Sequence, residues 1–453
     1  MPTAADAIHF VLTEAARFQK AFAEGRFDVI DNDKMDGFWT IPAADGRGAL
    51  ICGQVAGQQL FDTLADQIKS GPYHGRIDLK RLYEAYKREI MARFITQRLD
   101  LSDENATAAF EAALAPSLER LSNFTHVMPC HLVMAKDPDH LVLGPVTFWR
   151  REAAWPRIAD ALSAFDVKQS SDPTRCSHGT TSYYASFDWL VEVHVEACEE
   201  EPSYELAERM AWSAIDCLQL QIRDGRLERM ALGGRAFESD RRAHIIMRNG
   251  NIASLRTSSI VRDVTLTDEV WRQTELPAIR HSLDLMGVAL TEAYRLPKPA
   301  ALAERFIDAV HWFGLAMRDT NPSSRFIMLL LAVERLLVPR KPAGIESAVR
   351  FRSEPFMDWD KHNRRIKDLY EVRGQLVHGQ LSTRAPAVLR ECRNARTLAE
   401  SVLFEVLHFF GREALHAENV TVDMIEAAFE NYAKACVERR KQRAATMATD
   451  GDR

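Results

Sequence analysis

Two amphipathic helices near the C-terminal end of the chain each turn one charged residue toward their apolar face. In RRIKDLYEVRGQLVHG, apolar residues recur at helical spacing, and Arg373 occupies the position of that face one turn after Leu369 and Tyr370. In SRFIMLLLAVERLLVP, Glu334 lies on the same side as the apolar stripe. A charge that faces a bundle is costly unless a partner of opposite sign meets it. The two patterns predict helices of one bundle, with Arg373 and Glu334 paired between them.

His378 follows Arg373 by five residues, about 140° around an ideal helix. Gly379 comes next and is typical of the residue just beyond a helix end, so His378 is predicted in the last turn, where its imidazole can swing toward Arg373 or toward a second subunit. The alternative is structural: a buried ion pair, and a histidine that is favourable near a helix C-terminus. Spacing alone does not decide, because the chain has two further pairs of this kind: Arg120 with His126, and Arg305 with His311.

Hydrophobic periodicity changes twice along the chain and predicts an α+β protein. The predicted divisions are a mainly helical N-terminal region at 1–123, an α+β region at 124–296, a helical bundle at 297–440 and a disordered tail at 441–453. The segment YRLPKPA at 294–300 is the predicted linker before the bundle. Bundle helices are predicted at about 300–318, 324–338, 344–352, 361–377, 386–414 and 422–440.

The strand signals are confined to the middle region, apart from GFWTIPAADGRGALICG, which is predicted to be an irregular or short-stranded insert. Two apolar runs, THVMPCHLVMA and DHLVLGPVTFWRR, are separated by KDPD and predict a pair of strands joined by a turn. Farther on, HIIMRNGNIASLR has Asn-Gly between two extended pieces, which predicts a hairpin.

The charge distribution restricts contact with nucleic acid to a local patch. The chain has 46% hydrophobic and 27% charged residues and a formal net charge of -6, so it is not a polycation. Between residues 361 and 396, however, there are nine basic residues and only three acidic ones. Phosphate binding and an ordinary solvated helix face explain this excess equally well. The residues predicted to bind nucleic acid are Arg364, Arg365, Lys367 and Arg384.

Several common classes of protein are disfavoured by what the sequence lacks. There is no CxxC pair, HExxH, Walker A loop, GxGxxG or GxSxG, so we predict neither a cofactor nor a metal site. The first residues lack the basic and apolar parts of a signal peptide. The longest apolar run, FIMLLLAVERLLV, is too short to cross a bilayer and contains two charges. A cytoplasmic protein without a membrane partner is therefore expected.

The stretch LYEVRGQLVHG resembles the signature of the HEPN superfamily, an arginine and a histidine four to six residues apart in a helical bundle. It is most similar to the Apea-like HEPN group, and RFIMLLLAVERLLVP resembles that group's second helix. IESAVRFR lies where the group has a short helix between the two. The segment HVMPCHLVMAKDPDHLVLGPVTFWRR is similar to a strand pair found ahead of such domains. The resemblance covers residues 300–415 and, in the strand pair, 124–151.

This resemblance implies a metal-independent endoribonuclease that uses Arg373 and His378 on an RNA substrate, with Glu334 orienting Arg373 from behind. It also implies a homodimer through the bundle and a toxin-like or antiviral-defence role, with a trigger ligand or protein acting on the N-terminal region. The alternative is a catalytically inactive scaffold that binds RNA, a nucleotide or a protein. Gly374 favours that alternative, because many active members have a polar residue directly after the arginine.

Overall fold

The protein is described from a computed structural model. The described residues are 3–25, 38–42, 49–134, 139–156, 158–160, 184–185, 187–222, 230–233, 241–248, 251–259, 264–265, 276–340, 342, 344–357, 359–413 and 419–450. The chain is a mixed α/β protein that divides into two compact units. The first unit comprises Met1–Phe124, Val195–Leu206 and Leu296–Lys298, and the second comprises Thr125–His194, Ala207–Arg295 and Pro299–Arg453. None of the described helices is long and apolar enough to cross a membrane.

The first unit is mainly helical, as predicted, and has the predicted short-stranded insert. Its helices are α1 (Ala4–Ala23), α2 (Gln54–Ser70), α3 (Leu79–Ile90), which continues as a π-helical turn over Met91–Thr96, and α4 (Asp103–Glu119). Strands β1 (Phe38–Pro42) and β2 (Ala49–Gly53) pair antiparallel. Helix α1 begins with a capping box between Thr3 and Asp6, and its apolar stripe, which includes Ile8 and Val11, is fully buried in the core of this unit.

Most of a five-stranded sheet belongs to the second unit, although the start of β3 and the end of β7 fall among the residues of the first. Its strands are β3 (Ser122–His131), β5 (His140–Leu143), β6 (Val146–Arg150), β7 (Trp189–Cys198) and β8 (Ala231–Leu232). Their order in the sheet is β5-β6-β7-β3-β8. Helix α5 (Glu200–Ile222) follows β7. Strand β9 (Arg241–Arg248) pairs with β10 (Asn251–Ser259) in the predicted hairpin, whose turn at 249–250 lies outside the described residues. Strand β4 (Val133–Met134) pairs in parallel with β11 (Val264–Thr265).

The predicted pairing of the runs at 125–135 and 139–151 is wrong. Strand β3 has β7 and β8 as its neighbours, whereas the second run forms a hairpin of its own, β5 with β6. Gly144 lies in the turn between them with a φ of +58°, a conformation that glycine adopts without strain. A Cβ atom there would also collide with the backbone of Gly287, which lies in the helix Pro277–Ala293. The Gly-Pro turn signal at 144–145 therefore outweighed the signal in KDPD.

The remainder of the second unit is a helical bundle. Its helices are α6 (Pro277–Ala293), α7 (Ala301–Arg318), α8 (Pro322–Leu337), α9 (Ile345–Ser353), α10 (Trp359–Val377), α11 (Pro386–Glu413) and α12 (Val422–Asp450). Helix α8 lies between α7 and α11, and α10 packs on α9 and α11. The six predicted helices of the bundle, α7 to α12, are confirmed to within a few residues, except at the end of α12.

Two features of the bundle differ from the prediction. Helix α6 precedes the predicted linker, yet it packs on α7 and α11 in the same compact unit as the sheet. Helix α12 continues through 441–450, so the predicted disordered tail is wrong for these residues; residues 451–453 lie outside the described part. The segment RRKQRAATMATD contains neither glycine nor proline, so nothing in it interrupts a helix once the preceding turns have formed.

Candidate functional site

Arg373 on α10 and Glu334 on α8 form the predicted ion pair. Arg373 Nε lies 3.2 Å from Glu334 Oε1, and Arg373 Nη2 donates a hydrogen bond of 3.4 Å to Glu334 Oε2. The side chains are 25% and 11% exposed, so both lie largely inside the bundle. The contact between Arg373 Nε and Glu334 Oε1 is not aligned as a hydrogen bond. Both atoms are therefore buried without a hydrogen-bond partner among the described residues. The inward placement of the two charges is confirmed.

Burial sets the electrostatics of this pair. Burial raises the pKa of the Glu334 carboxyl above its ordinary value, although the neighbouring Arg373 guanidinium and the Tyr370 hydroxyl both lower it. Burial, followed by the charge of Glu334, also raises the pKa of Tyr370 well above its ordinary value. The Arg373 guanidinium lies 6.0 Å from the centre of the Tyr370 ring. Carboxylate and ring thus hold the guanidinium from behind, and only the hydrogen bond from Nη2 occupies its N–H groups within the described chain.

His378 caps the end of α10. Gly379 has a φ of +70°, its N–H donates to Leu376 O at 3.2 Å, and the N–H of Gln380 donates to Gln375 O at 2.8 Å. These two bonds form a Schellman motif and confirm that Gly379 is the residue just beyond the helix. The His378 side chain is exposed, and no hydrogen bond or ion pair joins it to another described residue. Within one chain the structure therefore pairs Arg373 with Glu334 but does not bring His378 into contact with either.

The four predicted nucleic-acid-binding residues lie on or just after α10. Arg364, Lys367 and Arg384 are exposed and Arg365 is half-buried, and none forms an ion pair within the described part of the chain. At 100° per residue, Arg364, Lys367 and His378 fall on one face of the helix. Glu371 shares that face and accepts a hydrogen bond from Gln375. Three of the other basic residues counted in this region are paired: Arg373 with Glu334, Arg390 with Glu391 and Arg396 with Glu400.

Gly374 is not required by packing. It lies inside α10, and a Cβ atom built on it would meet no atom within 4 Å. We expect Gly374→Ala to raise the free energy of unfolding by about 0.5–1 kcal/mol, because glycine inside a helix is destabilising by about that amount relative to alanine. Urea unfolding of both proteins measures the change. Equal or lower stability of Gly374→Ala would contradict this expectation.

The contrasting variant is Gly314→Ala, whose Cβ would collide with Asp216 on α5, so it should destabilise the fold.

Two arginines hold the C-terminal end of α8, where Glu334 lies. Arg305 donates to the backbone oxygens of Arg335 and Val338, at 3.0 and 2.8 Å, and Arg352 donates to Leu337 O at 3.2 Å. These bonds occupy carbonyl groups that a helix end otherwise leaves unpaired. Glu426 of α12 accepts from both arginines. Burial lowers the pKa of Arg305, although the pairing with Glu426 opposes this shift.

A second buried charged cluster, outside the predicted site, was missed. Asp216 on α5 is fully buried; its carboxylate lies 2.9 Å from His311 Nδ1 and accepts a hydrogen bond from Arg318, both on α7. Arg318 also lies 4.7 Å from the Trp212 ring centre. The sequence does contain a signal for this cluster. Asp216 is the single charged residue in the apolar stretch MAWSAIDCLQLQI, just as Arg373 is a charge on an apolar helix face.

Comparison of the chain with protein-family models, curated proteins and solved structures found no match. In the described part of the chain, no three or more His, Cys, Asp or Glu side chains are grouped so that they could hold a metal ion.

Proposed function

We propose that this protein is a metal-independent endoribonuclease of HEPN type. The observation that carries the proposal is the geometry at the end of α10: Arg373 is held inward by Glu334 with most of its N–H groups unoccupied, and the exposed His378 caps the same helix. An arginine fork binds a phosphate bidentately and stabilises the charge that develops on it in the transition state. An imidazole is the side chain best suited to take up or release a proton at neutral pH.

The reaction proposed is attack by the 2′-hydroxyl of RNA on the adjacent phosphorus. The new bond joins the 2′-oxygen to phosphorus, and the bond from phosphorus to the 5′-oxygen of the next nucleotide breaks. One imidazole takes the proton of the 2′-hydroxyl, and a second gives a proton to the departing 5′-oxygen. The products end in a 2′,3′-cyclic phosphate and a 5′-hydroxyl. Arg373 holds the phosphate throughout, and Glu334 holds Arg373.

The need for two imidazoles motivates a dimer. His378 supplies one acid–base group per chain, and a two-fold axis near the end of α10 supplies the second from another copy. We expect light scattering to show a dimer at the concentrations at which RNA is cut. A strict monomer that retains activity would contradict the composite site. Exposed Arg364 and Lys367, on the helix face of His378, would then guide the RNA backbone toward it.

The second candidate function is a catalytically silent HEPN scaffold that binds RNA, a nucleotide or a protein. Gly374 favours it, because a polar side chain is missing directly after Arg373. The test that separates the two functions is cleavage of labelled RNA by the purified protein in EDTA, with and without cell lysate as the source of a trigger. Cleavage above that of the lysate alone supports the nuclease, and its absence in both conditions supports the scaffold.

A further inference from the structure

A cleft of about 350 Å³ lies beside the Arg373–Glu334 pair, within the second compact unit. Its walls come from the start of α7, the end of α8 with the residues that follow it, and the start of α12. Glu334 is one of its lining residues, so the residue that holds Arg373 also forms part of the wall of this cleft. The size is within the range of pockets that hold a small molecule or a single nucleotide unit.

Most charged groups of the cleft are already paired. Arg305 is bonded to Glu426, and Arg335 Nη2 lies 2.5 Å from Asp308 Oδ2. Two side chains remain, Glu304 and Arg340: both are exposed, and neither forms a hydrogen bond or ion pair with another described residue. The remaining walls are mainly apolar and include Val338 and Ile425. The cleft therefore offers an apolar slot with one carboxylate acceptor and one arginine fork.

We propose that this cleft holds a guanine base of the RNA next to the phosphate that is cut; the proposal deepens, and rests on, the nuclease function proposed above. Guanine is the base that presents two adjacent donors, N1–H and N2–H, and two adjacent acceptors, O6 and N7. A carboxylate accepts from the first pair, and an arginine fork donates to the second. Glu304 and Arg340 supply these two groups. The apolar walls cover the faces of the unstacked base, as in single-stranded RNA recognition.

The place of the cleft links recognition to cleavage. Glu334 lines the cleft and pairs with Arg373. The proposal therefore places the phosphate of a nucleotide whose base is in the cleft at the Arg373 fork. Glu304 and Arg340 thus become specificity-determining residues that do not touch the reacting atoms. Cleavage sites mapped on a mixed-sequence RNA should accordingly lie beside guanines.

The test measures binding without turnover, so it does not depend on whether wild type cuts RNA. Fluorescence anisotropy with the His378→Ala variant compares short RNAs that differ at one position, with guanine, inosine or adenine. Inosine lacks only the N2 amino group of guanine, so comparing these two RNAs tests that single donor. We expect guanine to bind about tenfold more tightly than inosine or adenine.

The variants assign this preference to the cleft. Glu304→Gln should remove the discrimination between guanine and inosine, and Arg340→Ala should weaken binding of the guanine RNA by about tenfold. Asp423→Asn, which removes an exposed carboxylate on α12 outside the cleft, should change neither. Equal binding of the three RNAs would overturn the proposal, and so would a preference that survives in Glu304→Gln.

Discussion

Replacing His378 with alanine is expected to lower the rate of RNA cleavage by at least about a hundredfold, the low end for loss of a general acid–base group. The melting temperature should not change, because the His378 side chain is exposed and the Schellman bonds at the end of α10 use only backbone atoms. Single-turnover cleavage and thermal melting of the same preparations measure both effects.

The matched control is His9→Ala, which removes an exposed histidine of α1. It should cut RNA at the wild-type rate. Normal cleavage by His378→Ala would exclude its imidazole as the acid–base group. If wild type cuts nothing, with or without a trigger, the silent-scaffold function stands instead.

Arg373→Ala is expected to lower the cleavage rate by a similar factor and, in addition, to destabilise the protein. Removing the guanidinium leaves Glu334, only 11% exposed, as a charge without its partner. Loss of one partner of a fully buried pair costs about 3–5 kcal/mol, and the partial exposure here reduces the expected loss to about 2 kcal/mol. Denaturant unfolding at neutral pH measures it. Arg373→Lys separates the two effects, because lysine keeps the charge but lacks the planar fork, so stability should recover more than activity.

The destabilisation of Arg373→Ala should depend on pH in a defined direction. Burial raises the pKa of Glu334 in the folded protein above its ordinary value of 4.5. The folded state therefore binds the proton more tightly than the unfolded state, and stability rises as the pH falls through the folded pKa toward 4.5. The loss of unfolding free energy in Arg373→Ala, relative to wild type, should be largest at neutral pH and should shrink as Glu334 is protonated. A deficit that grows on acidification would contradict an unpaired Glu334 as its cause.

The limits of sequence-based prediction follow from what each signal contains. The bundle helices were predictable because periodicity and local boundary signals agree, such as Pro322 at the start of α8 and Gly379 after α10. The Arg373–Glu334 pair was predictable because a single charge on an apolar face requires a partner, and the chain offered one of opposite sign. The order of the sheet strands was not predictable, because two turn signals, KDPD and Gly-Pro at 144–145, competed. Only the three-dimensional packing of Gly144 against Gly287 decided between them.

The contacts of Glu426 with Arg305 and Arg352, and the cleft beside Glu334, could not be predicted from the sequence. Arg305, Arg352 and Glu426 are distant along the chain, and their meeting depends on how α7, α9 and α12 surround the end of α8. The cleft beside Glu334 results from the same packing. By contrast, the separation of Arg373 from His378 follows from helix geometry and was predictable from their spacing.

The most direct test of the proposed chemistry is the fate of an RNA oligonucleotide that lacks one 2′-hydroxyl. The cleavage position is first mapped on the all-RNA oligonucleotide in EDTA, and the same sequence is then made with a 2′-deoxy nucleotide there. The proposed reaction predicts products ending in 2′,3′-cyclic phosphate and 5′-hydroxyl from the first oligonucleotide, and no cut at the modified position of the second. Cleavage at the 2′-deoxy nucleotide, or products with 5′-phosphate ends, would show attack by water and would contradict the roles proposed for Arg373 and His378.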